Sequence, residues 1–173
     1  VFILGLGLLW IFASRTLPGS PNGEIMAQPY EGFLAPDFEL LTPEGELVRL
    51  SDLRGDPIIV NFWASWCPPC RAEMPAIQSV FQTYQTQGLV VLAVNAANQD
   101  DLTTAQEFIA SLGLTFQVLV DTDGTAQKQY HVTALPSTFF IDRSGVIQSV
   151  IIGGPMAEAL LDINARQILM EEP

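Results

Sequence analysis

The sequence predicts an α/β domain in which a central mixed β-sheet is flanked by helices. Short apolar, β-branched runs such as 58–60 and 89–95 alternate with longer stretches whose apolar residues recur at helical spacing. Strands that alternate with helices form parallel βαβ units, whereas turns near both ends of the chain indicate antiparallel hairpins. With 49% hydrophobic and 15% charged residues, the 173-residue chain has enough apolar material for one full core.

The first residues of the chain are apolar and precede a stretch rich in proline and glycine. Val1 to Ala13 carries no charge, and these thirteen residues fall short of the roughly 20 that span a bilayer. Because the chain does not begin with methionine, we expect residues 1–14 to be the end of a longer membrane anchor. A cleaved signal segment and a core helix are the alternatives. Residues 15–32 are predicted to be a flexible linker, and 33–173 the folded domain.

The elements of the domain are predicted from apolar periodicity and from turn residues. The predicted strands are 35–40, 47–50, 58–60, 89–95, 116–120, the stretch after Pro136, and 146–152. Four helical segments are predicted before the C-terminus: a single turn at 51–55, a helix from Pro68 to about Gly88, a helix at 102–112 ended by Gly113, and a short helix at 125–130. A C-terminal helix is predicted from the apolar stripe Ala157, Leu161, Ala165 and Ile168.

Both cysteines lie in Trp66-Cys67-Pro68-Pro69-Cys70, directly after a buried strand. Proline is best tolerated in the first helical turn, so the helix is predicted to begin at Pro68 with Cys67 at its N-cap. The positive end of the helix dipole favours a thiolate at Cys67, whereas Cys70 lies on the apolar face that includes Met74. An exposed first thiol that attacks and a shielded second thiol that resolves are what dithiol–disulfide exchange needs.

Other interpretations of the two cysteines explain less. Packing in an apolar core does not require two prolines between the cysteines. A structural disulfide would close a loop too short to restrain the unfolded chain. A zinc site needs about four ligands, and beyond the two cysteines the chain offers one distant histidine, His131. We therefore expect the Cys67–Cys70 pair itself to be the redox group, with no metal and no other cofactor. The net charge of −12 argues against nucleic-acid binding.

The cysteine block and its flanks resemble a known family. Asn61-Phe62-Trp63-Ala64 before the block and Pro75 after it are similar to the thioredoxin superfamily. The continuation Arg71-Ala72-Glu73-Met74-Pro75 resembles its membrane-tethered, extracytoplasmic branch, which contains TlpA, ResA and the cytochrome c maturation thioredoxins. The resemblance covers residues 33–173. It implies a thioredoxin-like fold with an N-terminal β-hairpin and an inserted helix and strand within about 95–121.

The same resemblance implies a substrate groove beside the cysteines. Pro136 stands directly ahead of a strong strand pattern, where proline is tolerated. In thioredoxin-like proteins this proline is cis and packs beside the CxxC pair, so we expect a cis Pro136 with Leu135 presenting backbone groups to a substrate chain. Trp66 and Pro68 are expected to border the groove, with Trp66 covering the edge of the disulfide.

Glu73 is the third candidate catalytic residue after Cys67 and Cys70. Thioredoxin itself has an aspartate at the position of Asn61, and an asparagine cannot titrate. The ResA-like branch has a functional glutamate at the position of Glu73, three residues after Cys70, and partial burial is expected to raise its pKa. The alternative is a solvated carboxylate that pairs with Arg71 or with nothing.

The resemblance implies a thiol–disulfide oxidoreductase that reduces protein disulfides on the periplasmic side of a cell membrane. Its expected partners are disulfide-bearing clients, with apocytochrome c as one candidate, and a transmembrane electron donor. The alternative is a peroxiredoxin-like thiol peroxidase, because the opening Ala35-Pro36-Asp37-Phe38 also resembles that family. Peroxiredoxins place a threonine or serine three residues before their reactive cysteine, where this chain has Ala64. A thioredoxin-like copper chaperone would need CxxxC spacing.

Overall fold

The computed structural model describes residues 26–171, which fold as a seven-stranded mixed sheet with helices on both faces. The strands are β1 (Glu39–Leu41), β2 (Leu47–Arg49), β3 (Ile58–Trp63), β4 (Val90–Asn95), β5 (Gln117–Val120), β6 (Ser137–Ile141) and β7 (Ile147–Ile152). The helices are α1 (Pro68–Tyr84), α2 (Leu102–Leu112), α3 (Thr125–Gln129) and α4 (Glu158–Met170), and 3₁₀ turns lie at Leu50–Leu53 and Gln85–Gln87.

The strands are arranged in the order β2-β1-β5-β4-β3-β6-β7. β3 runs parallel to β4, and β4 runs parallel to β5, so α1 and α2 are the crossovers of two parallel βαβ units. The pairs β1–β2 and β6–β7 are antiparallel hairpins. The predicted mixed sheet, its N-terminal hairpin and the inserted helix and strand (α2 and β5) are therefore confirmed.

β3 lies between β4 and β6 in the interior of the sheet, and all six of its residues are buried. Side chains alternate along a strand, so Ile59 and Trp63 pack on the face that also contains the buried residues of α1 and α4. Val60 and Phe62 pack on the opposite face. A strand buried on both faces has little freedom to shift, and it fixes the position of the cysteine segment that follows it.

Helix α2 lies where the sequence predicts it. The Asp101 carboxylate accepts the backbone N–H of Thr104 at 2.8 Å, which is an N-cap bond, and Gly113 ends the helix with a left-handed φ of 60°. β1 begins four residues later than predicted, at Glu39. Ala35 explains part of this difference, because its N–H donates to the Gly145 carbonyl at 2.9 Å and not to a β2 strand partner.

One prediction about helical residues is wrong. Ala157 is the exposed N-cap of α4 and not part of its buried stripe; Met156 is buried instead, while Leu161, Ala165 and Ile168 are buried as predicted. His131 lies beyond the end of α3, in a turn with a φ of 50°. There it is exposed, and its ring faces Tyr30 at 5.8 Å between ring centroids.

Residues before β1 pack along β7. The Gly32 N–H donates to the Ile147 carbonyl at 2.8 Å, the Ile147 N–H donates to the Phe33 carbonyl at 2.9 Å, and a Glu31 carboxylate oxygen accepts the Val150 N–H at 3.0 Å. The predicted anchor at 1–14 lies outside the described residues. Among residues 26–171, no helix has the length and apolar character needed to cross a membrane.

Candidate active site

Cys67 and Cys70 are joined by a disulfide at the point where β3 gives way to α1. Cys67 is the N-cap, with extended φ and ψ of −87° and 106°, and Pro68 and Pro69 occupy the first helical positions. The Cys70 backbone N–H donates to the Cys67 sulfur at 3.3 Å. The predicted helix start is confirmed, and it places the Cys67 sulfur where a helix N-terminus stabilises a thiolate once the disulfide is reduced.

The expectation that Cys67 is exposed is wrong for this oxidised state. Its exposed fraction is 3%, against 0% for Cys70. The two sulfurs are bonded to each other, and both residues lie in an apolar cluster that includes Ala64 and Ala96. The difference between the two sulfurs therefore comes from the helix N-terminus and not from exposure to solvent.

Residues in the loop after β4 form hydrogen bonds with the segment that directly precedes the disulfide. The Asp100 carboxylate accepts the Ser65 backbone N–H at 2.6 Å and the Ser65 hydroxyl at 2.5 Å. The Trp66 indole N–H donates to the Gln99 carbonyl at 2.9 Å, while 55% of Trp66 stays exposed. Trp66 thus forms an anchored apolar surface beside Cys67. Asp100 was not among the candidate site residues predicted from the sequence, so this role was missed.

Arg71 packs away from Glu73. Its guanidinium carbon lies 4.2 Å from the centroid of the Phe108 ring, a cation–π geometry, and one guanidinium nitrogen donates to the Ser65 carbonyl at 3.2 Å. The alternative in which Glu73 is a solvated carboxylate paired with Arg71 does not describe this site.

Glu73 is a buried carboxylate with an exposed fraction of 1%. Its Oε1 accepts the Asn61 side-chain N–H at 2.9 Å, and its Oε2 accepts the Met156 backbone N–H at 3.0 Å. Burial raises the pKa of Glu73 above the ordinary value of 4.5, and the two hydrogen bonds oppose this rise only in part. The predicted direction of the pKa shift is confirmed.

The Pro136 ring and the Glu73 carboxylate both pack close to Gly154. The peptide bond between Leu135 and Pro136 is cis, as predicted. A Cβ added at Gly154 would lie 2.7 Å from a Pro136 ring carbon and 2.8 Å from Glu73 Oε2. The absence of a side chain at Gly154 therefore lets the cis proline and the carboxylate both approach the chain at this position. The sequence singled out Pro136 and Glu73 separately but did not show that they meet at Gly154.

The other two residues predicted to border a substrate groove differ in burial. Pro68 is exposed and Leu135 is half-buried. Leu135 packs against the apolar clusters on both faces of the sheet. The structure thus places Glu73 one helical turn from the Cys67–Cys70 disulfide and brings both Glu73 and Pro136 close to Gly154. Trp66 and Pro68 flank Cys67 in the chain.

Comparison with known proteins places this geometry among thiol–disulfide oxidoreductases. Residues 32–150 match the model of the AhpC/TSA family. Thiol-disulfide oxidoreductase ResA of Geobacillus thermodenitrificans is 39% identical over 122 residues, which cover 70% of this chain and 69% of that protein. Sporulation thiol-disulfide oxidoreductase A of Bacillus subtilis is 32% identical over 161 residues, or 92% of each chain. The structure of a thiol:disulfide interchange protein of the thioredoxin family from Chlorobium tepidum has a TM-score of 0.67 at 32% identity, covering 79% of this chain and 95% of that one.

Proposed function

The chain belongs to the AhpC/TSA family and is a thiol–disulfide oxidoreductase; from this premise we propose that it reduces disulfides of protein clients on the extracytoplasmic side of a cell membrane. The observation that carries the proposal is the Cys67–Cys70 disulfide at a helix N-terminus, one helical turn from a buried carboxylate. The pair itself is the redox group, and the reaction needs no other cofactor.

Cys67 is the nucleophile in the proposed reaction. In the reduced protein its thiolate attacks one sulfur of the client disulfide, which forms a mixed disulfide and releases the other client sulfur as a thiolate. Cys70 then loses its proton and attacks the Cys67 sulfur, which releases the second client thiolate. The client disulfide gains two electrons and, after protonation, two protons, while the Cys67–Cys70 pair loses the same number and becomes the disulfide seen here.

Glu73 is proposed to move the proton of Cys70. Cys70 must lose a proton when it resolves the mixed disulfide and must regain one when the pair is reduced again. Asn61 cannot titrate, and Glu73 lies three residues from Cys70 on α1, which places it one helical turn away. Because burial raises the pKa of Glu73, its proton affinity moves toward the range in which it exchanges protons at neutral pH.

The client chain is proposed to bind across Trp66, Pro68, Leu135 and Pro136. The exposed Trp66 ring and the exposed Pro68 offer apolar contact at the Cys67 side. The half-buried Leu135 precedes the cis proline and offers its backbone groups to an extended client segment. A client held here would present its disulfide to Cys67.

The location and the partners are also proposals. Residues 1–13 carry no charged side chain, which supports a membrane anchor at 1–14 with the domain on the periplasmic side. Such a compartment is oxidising, so a reductant there needs electrons from a transmembrane donor. We propose disulfide-bearing extracytoplasmic proteins as clients, with apocytochrome c as the first to be tested.

Insulin reduction beside peroxide consumption tests the proposed activity. The wild-type protein should accelerate insulin reduction by dithiothreitol, Cys67→Ala should abolish the acceleration, and neither protein should consume hydrogen peroxide above the buffer rate. Rapid peroxide consumption without insulin reduction would instead establish the peroxidase. In cells, alkylation of the membrane fraction should trap Cys67 and Cys70 mainly as thiols; a fully oxidised pair would reverse the proposed direction.

A further inference from the structure

Asn61 lies fully buried in the middle of β3, on the face covered by α1. Its neighbours on that face, Ile59 and Trp63, belong to the apolar cluster that contains Cys70 and Met74. Since side chains alternate along a strand, Asn61 points into the same cluster. Its hydrogen bond to Glu73 of α1 shows the same direction.

The hydrogen bonds of Asn61 fix the orientation of its amide. Both side-chain N–H groups are used, one on Glu73 Oε1 and one on the Thr138 hydroxyl oxygen, each at 2.9 Å. Turning the amide over would place its oxygen against the Glu73 carboxylate, so the nitrogen must occupy this side. The amide oxygen Oδ1 therefore faces away from Glu73 and Thr138.

Asn61 Oδ1 is buried and accepts no hydrogen bond within residues 26–171. Buried acceptors in proteins are nearly always paired, because an unpaired one keeps the full cost of its lost hydration. In this structure the two sulfurs are bonded to each other and carry no hydrogen. The disulfide therefore offers Asn61 Oδ1 no donor.

Reduction creates a new buried donor in the cluster that Asn61 faces. The disulfide takes up two electrons and two protons, and one of these protons binds to the Cys70 sulfur. Cys70 is fully buried, so water does not solvate its thiol, and it lies one turn before Glu73, the carboxylate that holds Asn61.

We propose that Asn61 Oδ1 accepts a hydrogen bond from the Cys70 thiol in the reduced protein, and that this bond holds the proton on Cys70 until Glu73 removes it. The inference rests on the assignment of Cys70 as the resolving thiol in the proposed function. It gives Asn61 a role in the redox equilibrium, because the bond exists only after reduction and stabilises the reduced state.

Infrared spectroscopy of the thiol tests this bond directly. The chain has two cysteines, so Cys67→Ser leaves Cys70 as the only S–H group. In this variant the S–H stretching band should lie at the low wavenumber of a hydrogen-bonded thiol. Adding Asn61→Ala should move the band to higher wavenumber. The matched control, Thr138→Val, removes the other partner of Asn61 and should leave the band in place. An unchanged band after Asn61→Ala would overturn the proposal.

The redox equilibrium supplies the second readout. Equilibration with glutathione should show that Asn61→Ala lowers the equilibrium constant for reduction about fivefold, which corresponds to about 20 mV at 29.6 mV per tenfold change. Thr138→Val should stay within about twofold of the wild type, because its lost bond is present in both redox states. Equal shifts in the two variants would show that Asn61 acts only through the fold and would overturn the proposal.

A structure of the reduced wild-type protein needs no variant and remains available if Asn61→Ala does not fold. It should place Cys70 Sγ within hydrogen-bonding distance of Asn61 Oδ1, whereas a water molecule on Oδ1 in place of the thiol would overturn the proposal. These readouts do not depend on a client. A shifted S–H band in a protein that fails to reduce insulin would therefore remove the proposed function and leave the hydrogen bond between Cys70 and Asn61 standing.

Discussion

Asp100 holds the backbone two residues ahead of Cys67, because its carboxylate accepts the Ser65 N–H at 2.6 Å and the Ser65 hydroxyl at 2.5 Å. The same carboxylate accepts an Asn95 side-chain N–H at 2.7 Å. One acidic side chain thus ties the end of β3 to the end of β4 beside the disulfide. The carboxylate contributes acceptors that an amide of the same shape cannot fully replace.

Asp100→Asn should therefore lower the free energy of unfolding by about 1–3 kcal/mol, because at least one of these donors loses its acceptor. It should also slow insulin reduction, since the Trp66–Cys67 segment loses its anchor. The adjacent Asp101→Asn removes the same charge but affects only the N-cap of α2, so it should leave the rate of insulin reduction unchanged. Urea unfolding and initial rates measure both effects, and equal rates for the two variants would contradict the role of Asp100.

The two thiols of the reduced protein should react at different rates. Cys67 lies at the N-terminus of α1, where the helix dipole and the Cys70 N–H favour a thiolate, so iodoacetamide at neutral pH should modify Cys67 about tenfold faster or more. Mass spectrometry after short exposure locates the label. Cys70→Ala should accumulate mixed disulfides with clients and Cys67→Ala should not. Preferential labelling of Cys70 would reverse the assignment.

Glu73 should make stability depend on pH in a predictable direction. Its pKa in the folded protein is raised above 4.5, so folding favours the protonated carboxyl. The associated stabilisation is complete below pH 4.5 and is lost as the pH rises through the raised pKa, by up to about 1.36 kcal/mol per pH unit. The difference in unfolding free energy between the wild type and Glu73→Gln should follow this curve, while Glu44→Gln, at an exposed position, should show no such difference.

Glu73→Gln should also lower the apparent pKa of the cysteines, because a carboxylate near the thiols disfavours their thiolates. Thiolate absorbance followed against pH measures this shift. If neither the thiol titration nor the exchange rate at neutral pH changes, Glu73 has a structural role only.

Gly154→Ala should disturb the site through crowding. The new Cβ would lie 2.7 Å from the Pro136 ring and 2.8 Å from Glu73 Oε2, so these groups must move apart at a cost of about 1–3 kcal/mol in unfolding free energy, together with a loss of exchange rate. Gly153→Ala is the control. Gly153 has a φ of 86° and open space around it, so the variant should lose stability through backbone strain yet keep its exchange rate. A normal exchange rate in Gly154→Ala would show that the close packing is not required.

The sequence by itself determined the local architecture of the site. A buried strand, a Cys-Pro-Pro-Cys segment and a helical stripe are short-range patterns, and each acts through the residues next to it. Proline in the first turn, an N-cap side chain and a glycine at the C-terminus set helix ends from within a few residues, which is why the start of α1 and both ends of α2 were predicted. The glutamate at position 73 and the proline at 136 were found because the chain resembles a family that uses them.

Only the tertiary structure decided what these residues contact. The Glu73 carboxylate bonds to Asn61, 12 residues away, and to Met156, 83 residues away, and Asp100 meets Ser65 across 35 residues. Local sequence patterns do not predict such pairs. The pairs form when the sheet, α1 and the loops pack together, because buried polar groups then need hydrogen-bond partners. For the same reason the burial of Cys67 and the unpaired oxygen of Asn61 could not be predicted from the sequence. Both depend on which distant chain segments cover the start of α1.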